Sequence, residues 1–155
     1  MAETEVEIPI EAPISAVWRL LTDLEALGLC LPFVEKTERL KDEGSRWFIK
    51  SPMRSITRTP HLDTAIESKV PEAQLSISGE GSNLKIMLRF LLNAVSKRET
   101  MLTLEGEINA KGLLRRILSP MISTQVDVQM EAFVQKIKEK IEIETLKRDK
   151  LLERP

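Results

Sequence analysis

The chain has 155 residues, with 23 basic against 24 acidic side chains. That length predicts one domain with a sizeable core, and that balance supplies no field to recruit nucleic acid or an anionic membrane surface. One histidine, one cysteine and no tyrosine leave almost no material for a zinc cluster, a Cys–His pair or a tyrosine acid, so neither a metal nor a cofactor is expected.

No phosphate loop, dinucleotide fingerprint, HExxH or internal repeat is present. The GEG at 79–81 falls between two strand-like runs and reads as a turn. Met1 to Glu5 is acidic and has neither the basic start nor the apolar core of a signal peptide. Apolar runs stop far short of the ~20 residues that span a bilayer. The lone Cys30 forms no disulfide within the chain, which fits a reducing compartment, and the expected location is cytoplasmic.

The first element is a strand, because Val6, Ile8 and Ile10 alternate with Glu7, Pro9 and Glu11. Ala12-Pro13 breaks that period. A helix starting at Ser15 then carries Val17, Trp18, Leu21 and Leu24 at helical spacing. Asp23 and Gly28 punctuate it, predicting one helix to about Thr22 and a second over 23–29, stopped by Pro32. Strands follow over roughly 33–41, 45–52, 55–69, 73–80, 84–95 and 99–109, separated by turn-like stretches that predict antiparallel hairpins. Leu75 and Ile77 share one face, as do Leu84 to Leu92 in steps of two and Leu102, Leu104 and Ile108, although Met87 and Leu91 blur the contrast.

From Leu113 the period changes to helical. Ser119-Pro120 suits an N-cap followed by proline at the first helical position. Ile122, Val126, Met130, Phe133, Ile137 and Ile141 then form one stripe over about five turns. Beyond Glu142 the chain is charged, with Glu144 placed to pair with Arg148 four residues on. The expected organisation is one domain over 1–145, with 146–155 a solvated, fraying helix end or tail. A seven-stranded antiparallel sheet with one apolar face and a single long helix buries both surfaces by curling round that helix.

This order is that of the helix-grip superfamily, which includes START domains and pollen-allergen-like proteins. More narrowly, the chain resembles the CoxG-like family associated with carbon monoxide dehydrogenase. The resemblance rests on IPIEAPISAVWRLLTDLEALGLCLPFVEKTERL, VPEAQLSISGEGSNLKIMLRF, ETMLTLEGEINAKG and LLRRILSPMISTQVDVQMEAFVQKI, and it covers roughly residues 3–142. Its most specific part is the AP-x(3)-VW-x-LL-x-D phrase followed by CLP. The resemblance implies a hollow between sheet and long helix that holds a lipophilic molecule, quinone- or lipid-like, and a link to a molybdenum carbon monoxide dehydrogenase as partner. It also marks two departures. Relatives with a membrane role carry a linker and an apolar C-terminal anchor, whereas the tail here is charged. Bulky SNLKIMLRFLLNA replaces the usual glycines around strand six and predicts a smaller cavity.

The ligand-lining residues expected from these patterns are Trp47, Ile77, Leu88, Phe90, Leu104, Ile122, Val126, Met130 and Phe133. Gln125 and Gln129 lie on or near the inward stripe, either meeting a ligand oxygen or sitting partly solvated on the flank. His61, Asp63 and Glu67 share a strand face. Alternation against Leu62 and Ile66 points that face to solvent, unless a bulge at Pro60 reverses it. Arg58 reads as an internal cation without a bulge and as a surface residue with one. Trp18 is expected in the core or cavity wall, and Cys30 reads as a small buried hydrophobe with no basic neighbour in sequence to activate it. Lys111, Arg115 and Arg116 read as solvated.

The expected function is non-enzymatic carriage of an apolar or amphipathic molecule. The alternatives are an enzyme of the cyclase or hydrolase type found in the superfamily, or an assembly protein that docks without a ligand.

Overall fold

The computed structural model describes residues 2–50, 60–82, 84–111 and 126–153. Strand β1 (Ala2–Ile10) leads into helices α1 (Ile14–Leu21) and α2 (Leu24–Gly28). Six strands follow: β2 (Val34–Arg39), β3 (Ser45–Ile49), β4 (His61–Val70), β5 (Gln74–Gly81), β6 (Leu84–Ser96) and β7 (Glu99–Ala110). Helix α3 (Val126–Glu153) closes the order. The expected N-cap at Ser119-Pro120 and the first residues of the expected 55–69 strand lie outside the described residues, as do Arg58, Arg115, Arg116, Ile122 and Gln125.

The strands form one antiparallel sheet in the order β1-β7-β6-β5-β4-β3-β2. Strands β2 to β7 join as sequential neighbours, and β1 returns to the far edge beside β7. Pro9 is tolerated in β1 because an edge strand has one unpaired side. Alternation fixes the faces. In β6, Leu84, Ile86, Leu88, Phe90 and Leu92 are buried, while Lys85, Met87 and Arg89 are exposed on the other side. Met87 and Leu91 therefore belong to the outer face after all.

Two turns require left-handed backbone. In Val70-Pro71-Glu72-Ala73 the Ala73 N–H donates to the Val70 carbonyl at 2.9 Å, and Glu72 has φ 59°. Proline at the second position and positive φ at the third are type II geometry. In the β2–β3 loop Glu43 has φ 64°, and the next residue must be glycine, since a Cβ on Gly44 would stand 2.6 Å from the Thr64 carbonyl oxygen.

Helix α3 lies chiefly along β1 and against α1. Met130, Phe133, Val134, Ile137 and Ile141 are buried on its inward face. Polar ties hold it at both ends of β1. The Thr4 hydroxyl bonds to Asp127. Lys138 donates to the Pro9 carbonyl at 3.0 Å, and the Glu142 carboxylate accepts from the Glu11 N–H at 2.7 Å. At the other edge α2 sits over β2, where Thr37 donates to the Glu25 carbonyl at 3.1 Å and Arg39 pairs with Glu25 at 3.3 Å. Both sheet edges thus carry a covering helix, one remedy for exposed strand pairing.

Candidate functional site

The concave face is built in rows that cross the sheet. Ile66, Ile77, Leu88, Gly106 and Thr4 are successive partners in one row. Leu75, Phe90, Leu104 and Val6 make the next. Phe90 meets Phe133 of α3 edge to face, with ring centroids 6.2 Å apart, a favoured aromatic geometry. Helix α3 packs directly over Gly106, where a Cβ would stand 3.3 Å from Thr4 Cγ2 and in ordinary contact with the Met130 sulfur at 3.4 Å. The structure therefore brings Ile77, Leu88, Phe90, Leu104, Met130 and Phe133 into one apolar wall, and all six are buried. Gln129 is half-buried, one step off the Met130–Phe133–Ile137 stripe. Val126 opens the described part of the helix.

Trp47 stands apart from that wall. Its sheet partners are Thr37 and Leu62, and β4, β5 and β6 lie between its strand β3 and β7. The indole N–H donates to the Leu24 carbonyl at 3.0 Å. A Cβ on Gly28 would stand 2.5 Å from the indole nitrogen. Trp47 is the peg that pins α2 to the sheet, a tertiary contact with no signal in local pattern. Trp18, expected inside, is half-buried and packs on the rim of the core.

Among the described residues three polar ones are fully buried on this side, Ser45, Thr64 and Thr100. Each hydroxyl donates to a backbone carbonyl: Ser45 to Glu38 at 3.1 Å, Thr64 to Ser45 at 2.7 Å and Thr100 to Ala12 at 2.9 Å. Among the described residues no buried side-chain nitrogen or oxygen lacks a partner. Cys30 is also buried, and burial pushes its thiol up; Lys140 and Lys136 of α3 act in the opposite direction and are outweighed. Sequence proximity gave no hint of those lysines.

The His61 face points outward, as alternation predicts. The β4 bulge falls between Ile66 and Ser68, after His61 and Asp63. There Asp63 accepts two bonds from Arg46, at 2.7 and 3.1 Å. The Arg46 hydrogen bond holds the Asp63 carboxyl below the usual carboxylate range. His61 Nε2 is 4.0 Å from the same carboxylate, and its ring tilts against Phe48, whose face carries Lys36 at 4.7 Å. Glu67 accepts from the Ser78 hydroxyl on this face, and Lys111 is exposed. This is a solvated ladder of cross-strand pairs. No group of three or more metal-ligating side chains is assembled among the described residues, and no helix there is long and apolar enough to cross a membrane.

Three hollows lined by described residues lie outside the grip. One of about 510 Å³ lies on the outer sheet face beside Glu3, Glu5, Arg89, Glu105 and Glu107. One of about 280 Å³ separates the α1–α2 corner from the β2–β3 loop. The third, of about 200 Å³, runs between α1–α2 and α3.

Among solved structures, the chain is similar to a START superfamily protein from Mycobacterium smegmatis at TM-score 0.70 and 15% identity, over 94% of this chain and 100% of that one. A conserved protein from Geobacillus kaustophilus superposes at TM-score 0.69 and 16% identity, over 91% and 95%. The Zhui aromatase/cyclase from Streptomyces sp. R1128 does so at 0.65 and 14%, over 90% and 93%. At these identities the likeness is one of fold. No curated protein sequence matches the chain. The model of the carbon monoxide dehydrogenase CoxG family matches residues 7–142, so the chain belongs to the CoxG family.

Proposed function

We propose that the protein binds an apolar or amphipathic small molecule, quinone- or lipid-like, between the concave sheet face and α3, and carries it without transforming it. One observation carries this reading. The described inward surface is mainly aliphatic and aromatic, and its fully buried hydroxyls, Ser45, Thr64 and Thr100, are already bonded to backbone carbonyls. Such a surface binds by desolvation and shape, and it offers no acid or base to a bound substrate. Turnover of the kind named for the Streptomyces aromatase/cyclase requires an inward proton donor or acceptor, whereas His61 and Asp63 face outward. That favours carriage over catalysis. The family name supports a carbon monoxide dehydrogenase-type oxidoreductase as the partner that receives or supplies the cargo, with the carrier working in the cytoplasm.

The test is a thermal-shift series over short-chain quinones and fatty acids, run on the wild type and on Ile77→Phe. A ligand at about 100 times its dissociation constant adds about 2.7 kcal/mol, which raises the melting temperature of a domain of this size by roughly 5–10 °C. Ile77→Phe adds bulk to the centre of the wall. In an interior that has room, the empty variant melts within a degree or two of the wild type and no longer responds to the ligand. In a filled interior the variant loses about 1–3 kcal/mol by overpacking and the wild type responds to nothing, which would refute the proposal.

A further inference from the structure

The inward face of α3 does not stop where its domain stops. At 3.6 residues per turn, the face that buries Phe133, Ile137 and Ile141 continues through Glu144, Arg148, Leu151 and Leu152. Leu151 is 68% and Leu152 84% exposed. Beside the first part of this continuation runs the groove of about 200 Å³, with Ala16, Leu20, Ala26 and Ile141 along its floor and Glu144 and Arg148 at its rim. Glu144 and Arg148 are four apart on one helix, yet they do not pair with each other. Among the described residues the ion pair formed within α3 is Lys138–Glu142.

We propose that a second copy of this chain covers this face. The two α3 tails would lie antiparallel about a twofold axis near position 146, each setting its terminal leucines into the other's groove. Glu144, Arg148 and Leu151 recur at three- and four-residue spacing and so share one side of the helix, just beyond the buried Ile141. In the antiparallel alignment Ile141 faces the partner's Leu151, and Glu144 faces the partner's Arg148. The twofold repeats both contacts, so the surface is self-complementary and closed. Parallel alignment sets Glu144 on the partner's Glu144 and Arg148 on the partner's Arg148, which repels. A charge pattern that matches its own reverse is what favours a second copy over an unrelated acidic or basic peptide. Ala16 and Ala26 leave room in the groove for a leucine. From 141 to 152 the helix advances only about 17 Å, so the contact is small and the dimer weak.

Sedimentation velocity from about 1 to 500 μM tests this. The expected result is a monomer–dimer equilibrium that Leu151→Asp/Leu152→Asp abolishes without lowering the melting temperature, because those leucines are exposed in the monomer. Glu144→Arg and Arg148→Glu should each weaken the dimer at least about tenfold, close to 1.4 kcal/mol, and the two combined should restore it. A monomer throughout that range overturns the proposal, even if the tail leucines prove to bind phospholipid vesicles. So does a dimer that survives the leucine changes, or one that charge reversal leaves untouched.

Discussion

The contact between Gly28 and Trp47 shows how one missing carbon holds an element in place. An alanine at 28 cannot fit without moving the indole, which sits 2.5 Å from where the Cβ would be. Moving it breaks the bond to the Leu24 carbonyl. Gly28→Ala should therefore cost about 2–4 kcal/mol, from overpacking together with a lost buried hydrogen bond. A denaturant melt followed by tryptophan fluorescence reads that cost, and an unchanged midpoint would deny Trp47 its role as the peg for α2. On the outer face the Arg46–Asp63 pair has a pH signature. Asp63 has a lowered folded-state pKa. Its stabilisation is thus fully present above the unfolded carboxylate value, about 3.9, and is lost as pH falls through the lower folded value. Both groups are substantially exposed, so the effect is small. Melting temperatures of wild type and Asp63→Asn should differ above about pH 4 and converge as the pH falls through the lowered folded value. A constant difference across that range would contradict the assignment.

Among the elements, the β4–β5 hairpin carries a correctable strain. Glu72 holds φ 59° without being glycine, a conformation that costs an L-residue roughly 1–2 kcal/mol, against a glycine entropy penalty of about 0.5–1 kcal/mol. Glu72→Gly should raise the melting temperature by about 1–4 °C, as measured by calorimetry, and a fall would show that Glu72 makes a contact worth more than the strain. The element pattern itself was legible wherever one face of a strand is buried. Leu75–Ile77, Leu84–Leu92 and Leu102–Ile108 declare their inner sides by alternation alone, and the Met130–Ile141 stripe does so at helical spacing. What escaped the sequence depends on contacts between distant elements. Trp47 reads locally as one more wall residue, because nothing nearby shows that Gly28 is pressed against it. Cys30 looks free of cations until α3 brings Lys136 and Lys140 across. The Glu144–Arg148 spacing predicts a pair that does not form.

In the molecule as a whole the sheet grips α3 along an apolar interior, and polar ties such as Lys138 to Pro9 and Glu142 to Glu11 clamp the helix to the edge strand. On the proposed reading, a molecule entering between β1 and α3 has to pass those ties. Glu142→Ala removes an acceptor from the Glu11 N–H and a partner from Lys138, which lies 2.6 Å away. It should cost about 1–2 kcal/mol while speeding ligand uptake in stopped-flow mixing. Slower uptake would place the entry route elsewhere.

Whether the grip holds a cargo is decided by native mass spectrometry of the protein as purified, and again after loading with a short-chain quinone or a fatty acid. The expected species is a one-to-one complex with an apolar compound, retained by the wild type and absent from Ile77→Phe. A wild-type protein that stays at its bare chain mass through purification and loading, while remaining folded, would contradict carriage within the grip.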